Sequence, residues 1–576
     1  MANSFIISID FGTAYSGYAY SLTPRQAETD PIVKPWGKDR AGASHLEHGF
    51  ETPKTPTCIL FNEDEEFFKF GYDAKMAYTK MSNQEAKKYY LFENFKMSLY
   101  GKQLNRNLTI EATNGKSMSA MKVITETLRY LKEHALKTVN DNMAGAKLTA
   151  SDFTWVLTLP AIWDASSKQF MREAATETGI VTERTVDKLV IALEPEAASL
   201  WCKKLPSDGF VTETSVKEKL EQAPGTQYIV ADCGGGTIDI TVHEVLDGGA
   251  LKELYKASGN GLGGQLVDQK FKNFLKEIFS DDLWDEYERT YPAELQRMMY
   301  GFSIVKCADE DVEISCPFNL GELAQKRQNI EMFFKTVQGA SWDEGAIKIS
   351  KEKMRSFYDE SLSGITKNLK EIQKEDFRIS YILLVGGFAS SEILRKHITK
   401  QFGKQCRMLC PFGAQEAIIK GAVMYGKRPE LVASRKSAFT YGISVSERFD
   451  ESKHKAEKLL SNKEGKWCLD IFKQMVKIGE DVGWDETREH MFSPIAADQT
   501  SCVFRFFRTE RENPMYVDEW GLDPLGSCTV AMPDTRRGMN RNIKLEITFG
   551  STEIKATATD IDSNSTAFVK IDFMSS

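Results

Sequence analysis

Phe5-Ile6-Ile7-Ser8-Ile9-Asp10-Phe11-Gly12-Thr13-Ala14-Tyr15-Ser16-Gly17-Tyr18-Ala19-Tyr20 decides the fold, because the chain repeats its plan in Tyr228-Ile229-Val230-Ala231-Asp232-Cys233-Gly234-Gly235-Gly236-Thr237-Ile238-Asp239-Ile240. Each stretch is an apolar run, then Asp-x-Gly, then small polar residues and alternation. That pattern predicts a buried strand, a tight glycine turn and a returning strand. The copies start about 220 residues apart, too long for a solenoid period and suited to two similar lobes facing each other.

Around the copies, strands alternate with helices. Ser119 to Leu136 and Ser166 to Gly179 have helical periodicity. Trp155 to Pro160 reads as a strand, and Lys188 to Leu193 as an apolar run closed by Glu194-Pro195. Tyr381 to Val385 runs into Gly386-Gly387, and a helix is expected over Ser391–Thr399. This order predicts an α/β architecture with mainly parallel core strands. Thr23 to Thr57 and Lys203 to Gln227 read as surface loops or insertions, the second with a charged, helix-like centre at Val216–Gln222.

After Gly426 the pattern changes. Arg428 to Lys436 reads as a linker, and the rest is mostly strand-like, with a helical turn expected at Lys453–Leu460. Ile543, Leu545, Ile547 and Phe549 alternate with Asn542, Lys544, Glu546 and Thr548. Period-two alternation between turn residues predicts a half-exposed antiparallel sheet, hence a β-sandwich-like domain over 437–576.

Composition sets the limits. The 576 residues carry 74 Lys+Arg against 82 Asp+Glu, a net charge of −8. Interspersed signs and mild acidity argue against bulk nucleic-acid binding, which needs a concentrated positive face. No apolar run reaches the roughly eighteen residues of a spanning helix, and Met1 to Asp10 has no secretory-signal pattern. Ala2 stands where N-myristoylation needs Gly. The ten cysteines include no CxxC pair, which predicts reduced thiols and a cytoplasmic or nuclear protein. Cys406 and Cys410 are four apart and could share a helix face; without further ligands they read as buried packing.

The chemistry concentrates on the two turns. Glycine lets the backbone approach a phosphate and present N–H donors to it. Asp10 and Asp232, at strand ends, can hold Mg²⁺ through its water shell. Thr13 and Thr237 add hydroxyls. One such turn is best read as a structural hairpin; two matched turns favour a triphosphate held from both sides. Gly386-Gly387 before a helix is a third phosphate or nucleotide contact, or simple close packing. Glu194 can position water or a hydrated metal. Lys96 can meet a γ-phosphate as a point charge, although read alone it is a solvated lysine.

These segments, in this order, resemble the actin, hexokinase and seventy-kilodalton heat-shock ATPase fold. Ile9-Asp10-Phe11-Gly12-Thr13-Ala14-Tyr15-Ser16, Leu159-Pro160-Ala161-Ile162-Trp163, Glu194-Pro195-Glu196-Ala197-Ala198, Asp232 to Asp239, Gly263-Gly264-Gln265-Leu266-Val267-Asp268 and Leu384-Val385-Gly386-Gly387 are all similar to the heat-shock version. Details at Phe92–Met97, Gly386–Ser391, Tyr441-Gly442-Ile443 and Ile571-Asp572-Phe573 look most like the divergent heat shock 70 kDa protein 12A/12B group. The resemblance implies duplicated ribonuclease H-like lobes over 1–427, with lobe I at about 1–200 and 390–427 and lobe II at about 228–389. A linker at 428–436 and a partner-binding β domain over 437–576, without a helical lid, would follow.

The resemblance further implies residue roles. Asp10 and Asp232 hold the water shell of Mg²⁺. Gly12, Thr13, Ala14 and Tyr15 line the β- and γ-phosphates of ATP or ADP, and Gly234, Gly235, Gly236 and Thr237 cradle them from the other lobe. Lys96 contacts the γ-phosphate, Glu194 orients metal or water, and Asp239 helps align the attacking water. Gly263 and Gly264 belong to the cofactor-binding set, Lys306, Gly386, Gly387 and Phe388 fall on the nucleoside side, and Pro160 and Lys168 on the relay to the second domain.

Departures stand beside these matches. Gly386-Gly387-Phe388-Ala389-Ser390 lacks the arginine that packs on adenine, and Phe388 offers an apolar face instead. Gln265 and Gln415 replace acidic residues of the pattern. Arg428–Lys436 lacks the acidic, leucine-rich segment that docks on the ATPase domain. The chain ends Phe573-Met574-Ser575-Ser576, without the acidic tail that recruits tetratricopeptide co-chaperones. The expected function is an ATP-binding, chaperone-like protein with slow hydrolysis and a protein or peptide client; the alternative is a nucleotide-regulated scaffold with little hydrolysis. A sugar or metabolite kinase finds no distinct motif here.

Overall fold

The computed structural model describes residues 5–23, 29–36, 52–100, 104–143, 145, 147–182, 184–211, 213, 217–259, 261–549, 554–570 and 574. Each repeated stretch is an antiparallel hairpin at the centre of a sheet. Phe5–Phe11 pairs with Tyr15–Ser21, and Gln227–Cys233 with Ile238–Val245. On the outgoing side, Phe5–Phe11 pairs in parallel with Phe153–Leu159, which pairs in parallel with Leu189–Leu193. Gln227–Cys233 does the same with Ile379–Val385 and then Arg407–Pro411. The return strands pair antiparallel with Ile32–Val33 and Leu251–Gly259 respectively. The two sheets therefore share one strand order, which is the duplication expected of an actin-like ATPase fold.

The outgoing strands are buried on both faces, as near-continuous Ile/Val/Leu/Phe runs require. Helices supply the cover. Ala120–Asp141 outlasts the predicted Leu136 because Thr138 and Val139 continue its buried stripe. Ala165–Glu177 is capped by Asp164, whose carboxylate accepts from Ser167 N at 2.8 Å. Glu392–Phe402 packs into the core of the second sheet through Ile393, Leu394, Ile398 and Phe402. Of the stretch 390–427 expected in the first lobe, Arg407–Pro411 is a strand of the second sheet, and Ala414–Lys427 is the helix that returns to the first core.

One local expectation fails, and the buried-packing reading of Cys406 and Cys410 is met without a shared helix. Lys217–Gln222 forms no helix, and Val216 lies outside the described residues. Cys406 and Cys410 share no helix: Cys410 is on the strand Arg407–Pro411 and Cys406 just precedes it, both buried. The helical turn expected at Lys453–Leu460 is the short 3₁₀ turn Ala456–Lys458.

Beyond the ATPase-like part the chain is strand-rich. One sheet orders Leu459–Asn462, Gly465–Val476, Thr440–Arg448, Ser501–Thr509 and Leu522–Ala531. The other orders Thr487–Phe492, Ile543–Thr548, Lys555–Asp560 and Thr566–Lys570. Their inner faces share one core, with Ile443, Val476, Phe504 and Val530 from the first and Leu545, Ile547, Ala556 and Ala558 from the second. Among the described residues no α-helix follows Ala414–Lys427. The Ile571-Asp572-Phe573 segment of the resemblance lies outside the described residues.

The segment between these parts is itself a strand. Val432–Lys436 adds in parallel to Leu251–Gly259, at the edge of the second sheet, and Asp481–Gly483 adds antiparallel to it. The sequence lacks an acidic, leucine-rich docking segment, yet the strand docks, because ladder hydrogen bonds are made by the backbone and do not read side chains. Basic side chains then fix it. Arg435 pairs with Glu196, and Lys436 and Lys252 each meet Asp481 at 2.8 Å.

Candidate functional site

The two glycine turns face each other at the floor of the cleft between the lobes. A Cβ on Gly235 would lie 2.6 Å from Ala14 Cβ, and one on Gly236 would lie 2.8 Å from Thr13 Cγ2. The close approach thus requires residues without a side chain. Thr57 braces the first turn: its hydroxyl donates to Gly12 O at 2.7 Å and its amide donates to Ala14 O at 2.8 Å. The second turn is braced by the helix Gly264–Phe279, whose Gly264 and Gln265 amides donate to the Gly234 and Gly235 carbonyls at 3.1 and 2.8 Å. Gly263 packs directly beneath that turn.

Four carboxylates and two ammoniums surround the turns. Asp10, Glu194, Asp232 and Asp239 are all buried. Asp10 Oδ1 accepts from the Thr158 hydroxyl at 2.8 Å, and Oδ2 pairs with Lys54 Nζ. Glu194 opens the helix Glu194–Cys202, where Pro195 is tolerated because a first-turn amide has no partner to lose. Its Oε1 accepts from Lys96 Nζ at 2.8 Å. Lys96 also lies 5.4 Å from the Trp163 ring centre and 5.8 Å from that of Phe11. Asp239 Oδ2 accepts from the Ala161 amide at 2.8 Å and so ties the second hairpin to the first lobe.

Burial, reinforced by the neighbouring Glu194, Asp239 and Asp10, pushes the Asp232 carboxyl well above the usual range. Asp232 Oδ1 has no hydrogen-bond donor among the described residues. Burial also raises Glu194, against the pull of Lys96. Among the described residues no three carboxylates converge as direct metal ligands, but the orphaned, buried Asp232 Oδ1 fits the water shell of a divalent cation, which Mg²⁺ largely keeps.

On the side of the cleft expected to face the nucleoside, Gly386 turns at φ +84°, and a Cβ there would collide with Asp232 Oδ1 and Cys233 O. Gly387 faces Gln415. Phe388 stacks on Tyr358, with ring centres 5.7 Å apart and an interplanar angle of 18°. Lys306 donates to Asp268 Oδ1 at 2.6 Å and to Gly264 O at 3.1 Å. Hydrogen bonds close the roof of the cleft between the lobes: Gln296 donates to Glu93 at 3.0 Å, and Gln265 to Asn94.

Asp10, Gly12, Thr13, Ala14, Tyr15, Lys96, Glu194, Asp232, Gly234, Gly235, Thr237, Gly264, Lys306, Gly386, Gly387 and Phe388 line one cleft of about 730 Å³. Gly236, Asp239 and Gly263 lie behind that wall, supporting it. Pro160 ends the strand leading to Ala161, and Lys168 lies close enough to Glu196 to favour its charged form. The sequence reading missed Lys54 and Thr158. Lys54 falls in a segment read as a surface loop, and its one signal is its place four positions before the apolar strand Cys58–Phe61.

A family profile described as Hsp70 protein matches residues 54–466. Human heat shock 70 kDa protein 12A is 32% identical over an alignment covering 99% of this chain and 91% of that protein. The mouse protein of the same name and human heat shock 70 kDa protein 12B match at the same identity and coverage.

Proposed function

The chain belongs to the Hsp70 protein family, and on that premise we propose that it binds a magnesium complex of ATP or ADP between the two glycine turns, hydrolyses ATP slowly, and engages a polypeptide partner through its C-terminal β region. The observation that carries this reading is the contact of Gly235 and Gly236 with Ala14 and Thr13, which brings two backbone-lined turns to one point from opposite lobes. A triphosphate needs donors on both sides, and these turns offer both.

When bound, Mg²⁺ supplies positive charge to the phosphoryl oxygens. Asp10 and Asp232 would hold its water shell. Lys96, fixed between Glu194 and the Trp163 and Phe11 rings, presents an ammonium where a γ-phosphate would lie. Glu194, raised by burial, is suited to orient a water and to hold its proton at Oε1 or Oε2. Asp239, bonded to Ala161 N, joins the second turn to the first lobe, so a shift in one reaches the other. In the β region, Trp520 and Phe568 are 90% and 78% exposed and suit contact with an apolar partner.

A second reading, a nucleotide-regulated scaffold with little hydrolysis, is favoured by the pairing of Lys96 with Glu194, which engages the γ-phosphate cation and the water-orienting carboxylate with each other. Calorimetric titration with ADP and ATP in Mg²⁺ tests the shared core of both readings. Saturable one-site binding, lost in Gly235→Val, is expected. No binding of either nucleotide overturns both.

A further inference from the structure

Lys54 is a buried lysine whose ammonium opens into the cleft, and none of the roles assigned above uses it. Its backbone is held on both sides. Thr52 forms a bridge with Trp36, Thr52 Oγ1 donates to Lys54 O at 2.8 Å, and Thr55–Pro56 pairs with Tyr15–Ser21. Its stem lies over Gly17, where a Cβ would come 3.0 Å from Lys54 Cγ. The side chain is thereby aimed along the first hairpin to Asp10 Oδ2. With Thr158 on Oδ1, this chain itself engages both Asp10 oxygens.

The charge count gives this position its meaning. Around the two turns, Asp10, Glu194, Asp232 and Asp239 face the ammoniums of Lys54 and Lys96; elsewhere the cleft lining carries Lys75, Lys272 and Lys306, each paired with a carboxylate of its own, Glu93, Glu288 and Asp268. The Lys54 charge also favours the ionised forms of Glu194 and Asp232. A polyphosphate entering such a site must be neutralised, normally by the divalent cation that accompanies it. An ammonium built into the first-lobe wall supplies part of that charge permanently, as a compact, strongly hydrated point charge suited to phosphate oxygens. It also competes with a metal's water shell for Asp10.

We propose that Lys54 is an internal cation of the phosphate site, so that this cleft retains a nucleoside diphosphate when divalent cations are removed. The proposal rests on the nucleotide reading above. It concerns binding rather than turnover, so it is measured on the nucleotide itself.

The test is calorimetric titration of the full chain with ADP, in Mg²⁺ and in excess EDTA, for wild type, Lys54→Met and Lys54→Arg. Wild type should lose about tenfold or less in affinity on chelation, the scale of one hydrogen bond between charged groups. Lys54→Met should bind in Mg²⁺ but lose roughly a further ten- to hundredfold in EDTA. Lys54→Arg should behave as wild type. Strict metal dependence of wild type overturns the proposal, and so does metal-free binding that survives in Lys54→Met. An unchanged thermal transition verifies that the variants fold; should Lys54→Met lose it, the wild-type pair alone decides. Absence of ADP binding in every condition removes the nucleotide reading itself, an outcome distinct from binding that needs Mg²⁺.

Discussion

Glu196 grips the Arg435 guanidinium with both oxygens, at 2.6 Å to Nε and 2.8 Å to Nη2. Both side chains are nearly fully buried. Glu194, two residues earlier in the same helical turn, holds Lys96 in the cleft. One turn of helix thus touches the candidate nucleotide site and the strand that leads into the C-terminal region. Tyr425 accepts from Arg435 at 3.0 Å and completes the clamp.

Breaking this pair should free the linker strand. Arg435→Ala leaves a buried carboxylate without its cation and should cost about 3–5 kcal/mol. Hydrogen exchange at 432–436 should accelerate, whereas unchanged exchange would contradict the clamp. Burial alone would raise Glu196, but Arg435 outweighs it and the carboxyl is held below its ordinary value. A depressed folded-state value means the pair contributes stability above the unfolded value of about 4.3 and loses it as pH falls through the folded value. Glu196→Gln should therefore remove an acid-sensitive component of linker protection.

Asp232 gives the opposite sign. Its folded-state value is raised, so the native state binds more protons than the unfolded state between the two values. Stability without ligand should fall as pH rises through that window. Asp232→Asn should remove this slope and stabilise the nucleotide-free protein at neutral pH by about 1–3 kcal/mol, while weakening Mg-nucleotide binding. A lower melting temperature in Asp232→Asn would show that the carboxylate is satisfied.

Gly386→Ala combines a left-handed backbone with a collision against Asp232 and Cys233. It should cost about 1–3 kcal/mol in backbone strain and displace Asp232, so ADP affinity should fall along with the melting temperature. An affinity equal to wild type would separate the 386 turn from the site.

In the β region, Arg541 is fully buried and donates to the Gly538, Ala497, Met532 and Asp534 carbonyls. Arg541→Met strands these acceptors and should lower the stability of this region by about 2–3 kcal/mol, measured by urea unfolding. ADP affinity should stay unchanged; a loss of affinity would mean that the β region shapes the cleft.

The hairpins were legible because burial on both faces writes an unbroken apolar run, and a glycine turn between such runs has few other uses. Glu194 was legible from the Pro that follows it. Lys54 was not, since a lysine in a polar stretch reads as solvated and its partner Asp10 stands 44 positions away. The linker strand was not legible either: its ladder depends on an exposed sheet edge, and its clamp joins residues 239 positions apart. Arg407–Pro411 was misplaced for the same reason, because strand order is decided by pairing across the chain.

On the proposed function, one cleft binds ATP and turns it over through Lys96, Glu194 and the two aspartates. Single-turnover hydrolysis in Mg²⁺, on wild type, Asp10→Asn and Glu194→Gln, tests it most directly, with nucleotide affinity measured in parallel. Wild type should convert ATP to ADP slowly, and Glu194→Gln should be slower by about 10²–10⁴-fold with binding retained. Bound ATP that stays intact in wild type, or hydrolysis that is undiminished in both variants, would contradict it.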